Sequence, residues 1–182
     1  ESNLRGLGLY VGCILRFSQS LNRFRSEINH IGQVHAVQIE ARSYLPDWRP
    51  GHPYQESYSA KSDEGGVLRD LIHEIDYAGW IFGWPEFCQA DITNLNRIKI
   101  KSEEIVQMHW RSPIGTFVSI GLDYLTRPPI RKVSAYGEYG TVTWDAFAQK
   151  VVVELVGLSK KDFLFEDTLE ECTVSMLTAF SK

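Results

Sequence analysis

Apolar side chains recur along this chain with two periods, and the change of period divides it into segments. From 18 to 32 the spacing is helical: Leu21, Phe24, Ile28 and Ile31 form one stripe, Ser18 or Ser20 can cap its start, and Gly32 stops it. A second helical stripe runs from about Gly65 to Gly83, through Val67, Leu68, Leu71, Ile72, Ile75, Ala78, Ile81 and Phe82, with Pro85 just beyond. Alternation with period two predicts strands at 33–44, 86–94, 104–112, 115–126, 131–139, 141–147 and 150–156. Tyr139-Gly140 and Ala148-Gln149 fit tight turns between the last three. Residues 9–17 read as a short buried strand that feeds the first helix. A last helix starts near Glu166, with Leu169, Cys172, Met176, Leu177 and Phe180 inward.

This order predicts an α+β fold: a mostly antiparallel or mixed open β-sheet with helices covering one face, in a single domain over 1–182. Trp110, Phe117, Val118, Ile120, Trp144, Val151 and Val153 are expected on the face toward the helices, and Gln107, His109 and Ser119 on the other. Residues 45–64 form a long connection, and such a connection inside a compact domain is functional or disordered. Trp48, Tyr54 and Tyr58, with Pro46, Pro50 and Pro53, argue for order.

A length of 182 residues is enough for a substantial core. The 43% hydrophobic and 23% charged content is that of an ordinary soluble globular protein, and the net charge of −4 argues against general affinity for nucleic acid or anionic membrane. No apolar run has the length of a membrane span and no signal peptide is visible, so a cytoplasmic location is expected. Cys13, Cys88 and Cys172 are odd in number and far apart, which fits buried thiols in a reducing compartment. No spacing of His and Cys points to a metal.

Candidate chemistry concentrates in the second helix, where Asp70, His73, Glu74 and Asp76 fall within seven residues of an otherwise apolar pattern. Charged groups are rarely buried unless paired or used. His73 lies one turn from both Asp70 and Asp76, and an imidazole oriented by a carboxylate is a proton-transfer group near neutral pH. The same spacing also occurs in purely structural helices. Glu74 and Asp76 read as hydrogen-bonding residues behind the site or at the surface. No Gly-x-Gly-x-x-Gly follows a strand, and there is no Walker lysine loop, nucleophile elbow or nucleophile with an assigned base.

The segments Ser43-Tyr44-Leu45-Pro46-Asp47-Trp48-Arg49-Pro50-Gly51, Tyr58-Ser59-Ala60, Gly65 through Tyr77 and Trp80-Ile81-Phe82-Gly83 resemble the C-terminal domain of the Gfo/Idh/MocA oxidoreductases, a dihydrodipicolinate-reductase-like domain. The resemblance covers nearly the whole chain. It implies a domain that binds substrate and self-associates through its open sheet face, in an enzyme moving hydride between a sugar or polyol carbon and NAD or NADP. The cofactor belongs mainly to an N-terminal Rossmann domain, which together with its Glu-Lys-Pro lysine is absent from these 182 residues; no metal is implied. The chain therefore reads as the truncated C-terminal half, cut before Glu1 and, with an uncapped helix at Lys182, at its end, and inactive alone.

The resemblance assigns His73 as acid/base catalyst with Asp70 as its partner. Many family members place the Asp four residues before the His, where this chain has Arg69; Asp70 stands three before. Tyr44, Trp48, Arg49, Tyr54, Tyr58 and Arg69 are candidates for the substrate pocket, and Gly65 and Gly66 for close approach of a ligand or the cofactor. Two other readings stay open: the aromatic residues pin the long loop, and the glycines serve only the helix start. The expected substrate is a sugar, amino sugar, nucleotide sugar or polyol. The alternative is a self-associating or carbohydrate-binding module with no cofactor domain.

Overall fold

In the computed structural model, which describes residues 11–181, Ser18 starts the first helix. Its Oγ accepts from the Leu21 N–H at 3.0 Å, and α1 (Gln19–Glu27) follows, burying Leu21 and Phe24. Gly32, at φ +75°, turns the chain into β1 (Val34–Arg42). The connection 45–64 is ordered, as three short 3-10 turns at Leu45–Asp47, Tyr54–Glu56 and Tyr58–Ala60.

The second helix is not continuous. A four-residue turn, α2 (Val67–Asp70), is separated from α3 (Ile72–Phe82) by Leu71, whose φ −105° and ψ +33° break the helical path. The strands β2 (Cys88–Thr93), β3 (Ile105–Arg111), β4 (Phe117–Asp123), β5 (Ile130–Gly137), β6 (Gly140–Asp145), β7 (Lys150–Leu155) and β8 (Lys161–Leu164) come next. The chain ends in α4 (Leu169–Phe180), started by a capping box of Thr168 and Glu171.

All eight strands join one open sheet in the order β2-β3-β4-β1-β5-β6-β7-β8. Every pairing is antiparallel except β1 with β4, so the sheet is mixed. The register aligns Val37, Ile39 and Ala41 with Val118, Ile120 and Leu122 on one side and with Ala135, Val133 and Arg131 on the other. That face, with Val142, Trp144, Val151 and Val153, is buried beneath α1 and α3.

Four expectations are corrected. Residues 11–17 form no strand; Ile14–Phe17 is a 3-10 turn that buries only Leu15, and residues 9 and 10 lie outside the described residues. Phe117 cannot share a face with Val118, its neighbour in the same strand; it stands 53% exposed and stacks on His109 across the open side. In α4 only Cys172 is buried, while Leu169, Leu177 and Phe180 are exposed. Finally, β8 was not expected, because a short, mostly exposed edge strand carries no alternation.

Trp144 ties the layers together. It packs edge-on against Tyr77 of α3, and its Nε1–H donates to Ser20 Oγ of α1 at 2.8 Å. Ser20 in turn donates to Asp167, ahead of α4, from both its backbone N–H and its hydroxyl. Trp144→Phe removes the donor and part of the ring, and is expected to cost about 1–3 kcal/mol. A urea transition would show a lower midpoint at an unchanged slope, whereas an unmoved midpoint would contradict this role.

Candidate active site

The break at Leu71 separates Asp70, at the end of α2, from His73, near the start of α3. In an unbroken helix Arg69 and Asp70 lie about 40° and about 60° from His73, on opposite sides of it. The structure brings Asp70 to the cleft and sends Arg69 away, its guanidinium donating to the Asp63 carbonyl. Asp70 Oδ2 accepts a 2.6 Å hydrogen bond from the hydroxyl of Tyr124, a residue that directly follows β4. Tyr124 is wholly buried, and Trp48 packs edge-on against its ring at 5.4 Å. The Trp48 Nε1–H donates to Ser43 Oγ at 2.9 Å. The chain Trp48–Tyr124–Asp70 therefore fastens the long loop to the broken helix.

Behind His73, Glu74 is fully buried and its Oε1 accepts from Arg131 Nε at 2.7 Å. Burial disfavours the Arg131 charge, but Glu74 outweighs it and holds the guanidinium pKa above its usual value. Glu74 Oε2, Tyr77 Oη and His73 Nδ1 are buried without a hydrogen-bond partner among the described residues. Asp76 faces the other way, in a two-pronged pair with Arg16 at 2.6 and 2.8 Å. Burial opposes the Asp76 charge, yet Arg16 prevails and lowers its pKa. Asp76 is thus engaged and leaves His73 without a carboxylate bond.

His73 is half-buried and makes no hydrogen bond among the described residues. Burial lowers its pKa below the usual histidine value, opposed by Glu74 and assisted by Arg131. The ring is therefore neutral at pH 7 and can accept a proton. With Nδ1 sealed, Nε2 is the nitrogen available to the cleft. That cleft has a volume of about 280 Å³ and is lined by Asp70, His73, Trp48, Ser43, Arg42 and Arg131 together with Ile14, Leu15, Phe147 and Leu169.

The remaining candidates divide. Trp48, Arg49 and Tyr54 line a second hollow of about 340 Å³ formed by the loop itself, with Trp48 bordering both hollows. Tyr54 also pins the loop, its hydroxyl donating to the Ile98 carbonyl at 2.9 Å. Tyr58 lies under the Arg49 guanidinium, and Tyr44 lies under that of Arg127, outside either hollow. Gly65 and Gly66 are buried against this chain itself: a Cβ at Gly65 would strike the Tyr58–Ser59 backbone and one at Gly66 would strike Glu103. Glu103 occupies the start of α2, where its carboxylate accepts from the Leu68 N–H and its carbonyl from the Val67 N–H. That helix start does not fit a cofactor phosphate, because its donors are already taken. Among the described residues no group of His, Cys, Asp and Glu could hold a metal ion, and no helix is long and apolar enough to cross a membrane. Tyr124, Arg131 and Glu103 carry no sequence signal of their own; they become visible only once the strands are in register.

The likeness to proteins of known structure is extensive. An inositol dehydrogenase homolog complexed with NAD+ from Azotobacter vinelandii superposes with a TM-score of 0.82 at 11% identity, over 99% of this chain and 54% of its own. An oxidoreductase from Agrobacterium radiobacter in complex with NAD+, L-tartaric acid and magnesium gives 0.79 at 17% identity, over 98% and 55%. A levoglucosan dehydrogenase in complex with NADH and L-sorbose gives 0.79 at 12%, over 93% and 55%. The chain spans about half the length of these structures. Comparison with curated protein sequences found no match. At such identities the superpositions establish the fold. The family model for the GFO/IDH/MocA C-terminal domain matches residues 26–143, more than half of the chain, and the chain belongs to that family.

Proposed function

We propose that this chain is the substrate-binding half of a nicotinamide-dependent oxidoreductase acting on a sugar, amino sugar, nucleotide sugar or polyol. The observation that carries the reading is that Asp70 and a neutral, unbonded His73 share the wall of one cleft. Its support from likeness is that similarly folded proteins were solved with NAD+ or NADH and with L-sorbose, levoglucosan or myo-inositol.

Oxidising a carbinol removes its hydroxyl proton as hydride departs. A nicotinamide supplies the hydride acceptor, and the described residues offer no cradle for its dinucleotide. What they offer is the other half of the chemistry. His73 Nε2 accepts the hydroxyl proton. Asp70, held by Tyr124, receives a neighbouring hydroxyl and fixes the ring orientation. The aromatic wall at Trp48 suits the apolar face of a sugar. The open sheet face, where Phe117 and Tyr136 stand exposed among polar residues, is the surface proposed for self-association.

Reduced-nicotinamide formation on a panel of sugars and polyols tests the proposal. His73→Ala in the protein joined to its cofactor domain is expected to lower kcat by about 10²–10⁴-fold. The 182 residues alone are expected to form none, and a measurable rate from them would contradict the division of labour. A second test needs no substrate. Since folding lowers the His73 pKa, the unfolded chain binds more protons in the interval from the ordinary value of 6.5 down to the folded value. His73 therefore makes stability fall as pH drops through that interval and adds no slope above it. His73→Gln should flatten the urea midpoint against pH there, and an unaltered slope would contradict the buried neutral ring.

A further inference from the structure

Arg131 is a polar group of the cleft that neither the family resemblance nor the proton step uses. It sits on β5 opposite Ala41 of β1, on the sheet face beneath α3. Its Nε is committed to Glu74. Neither Nη makes a hydrogen bond among the described residues, so of the five N–H donors of a guanidinium four stay open. Those nitrogens are not sealed: neither is among the buried atoms without a partner, and the side chain is 23% exposed. The exposure is toward hollows. Arg131 lines the His73–Asp70 cleft and an adjoining cavity of about 170 Å³ that includes Ser18, Ser20, Gln149 and Asp167. Leu15, Phe147 and Leu169 are walls of both, so Arg131 stands between the two.

A guanidinium needed only to neutralise Glu74 would do so best with two prongs and no open donors. This one instead presents its outer fork to a cavity beside the candidate base. We propose that Arg131 is a specificity-determining residue that grips two adjacent hydroxyl oxygens of an uncharged sugar or polyol, with Glu74 as the positioning residue that aims it. The inference rests on the proposed function and names the ligand class for the same cleft. Charge decides between hydroxyls and a carboxylate. The Arg131 charge is already met by Glu74, that of Arg42 by Asp123 and Glu40, and Asp70 adds a negative charge to the same wall. A carboxylate-bearing ligand would bring a further like charge into a half-buried site, whereas a vicinal diol offers two acceptors at the spacing of the fork without one.

Crystals of the protein soaked in myo-inositol test the contact. Two ring oxygens are expected within hydrogen-bond distance of Arg131 Nη1 and Nη2, with a third beside His73. A ring seated at His73 with the Arg131 fork untouched would overturn this inference and leave the proposed function standing. A cleft that takes none of myo-inositol, galactitol and L-sorbose would contradict the proposed function, and this inference with it. Binding titrations separate recognition from folding. Arg131→Lys keeps a cation beside Glu74 but lacks the fork, and is expected to weaken myo-inositol about tenfold at a nearly native melting temperature; equal affinity would overturn the proposal. Arg131→Met strands the buried Glu74 charge and is expected to fold poorly. Glu74→Leu/Arg131→Met removes both charges, and is expected to melt near the native protein yet bind as weakly as Arg131→Lys. Galactitol should bind more tightly than galactarate, its dicarboxylate counterpart, and the reverse order would overturn the assignment of an uncharged diol.

Discussion

One buried ion pair, Glu74 with Arg131, governs how the rest of the site is arranged. A carboxylate with no exposed surface costs several kcal/mol unless a counter-charge is in place. That constraint fixes the rotation of α3 about its own axis: Glu74 points to the sheet, Tyr77 and Ala78 point to the core, and His73 is left at the boundary between core and cleft. Asp76 falls on the outer side, where Arg16 holds it. The imidazole is consequently half-buried without a carboxylate bond, which is the condition that lowers its pKa. Asp70, just before the break at Leu71, lines the same wall.

The long connection belongs to the site because it is bound to the same elements. Trp48 packs on Tyr124, Tyr124 donates to Asp70, and Tyr54 donates to the backbone at Ile98. The loop stays ordered without long secondary structure because its aromatic residues bury area at several points while its prolines limit the unfolded alternatives. Ser59 and Gly65 are packed so closely that only glycine fits at 65. The loop therefore brings Trp48 to the cleft and adds its own hollow, which the same residue also borders.

Much of this is legible in the sequence. The two helical stripes and most strands follow from periodicity, and the conflict between charge and burial in residues 70–76 marks the helix that carries the buried Glu74 and the half-buried His73. Other features leave no trace in local pattern. Periodicity does not encode strand direction, so the parallel pairing of β1 with β4 could not be read from it. Leu71 fits a helical stripe as well as any leucine, so nothing in the pattern marks the break there. Arg131, at the start of a strand, looks like an ordinary surface charge until register places it opposite Ala41 and under Glu74. Gly65 and Gly66 carried a correct signal for close approach, but the approaching atoms are those of Tyr58, Ser59 and Glu103.

The central claim is that the ring of His73 is a neutral proton acceptor facing the cleft. The pH dependence of kcat/KM for the protein joined to its cofactor domain tests it most directly. The expected profile has an acidic limb with a midpoint below the ordinary histidine value of 6.5, absent in His73→Gln. An acidic limb that survives that substitution unchanged would assign the proton to another group and contradict the claim.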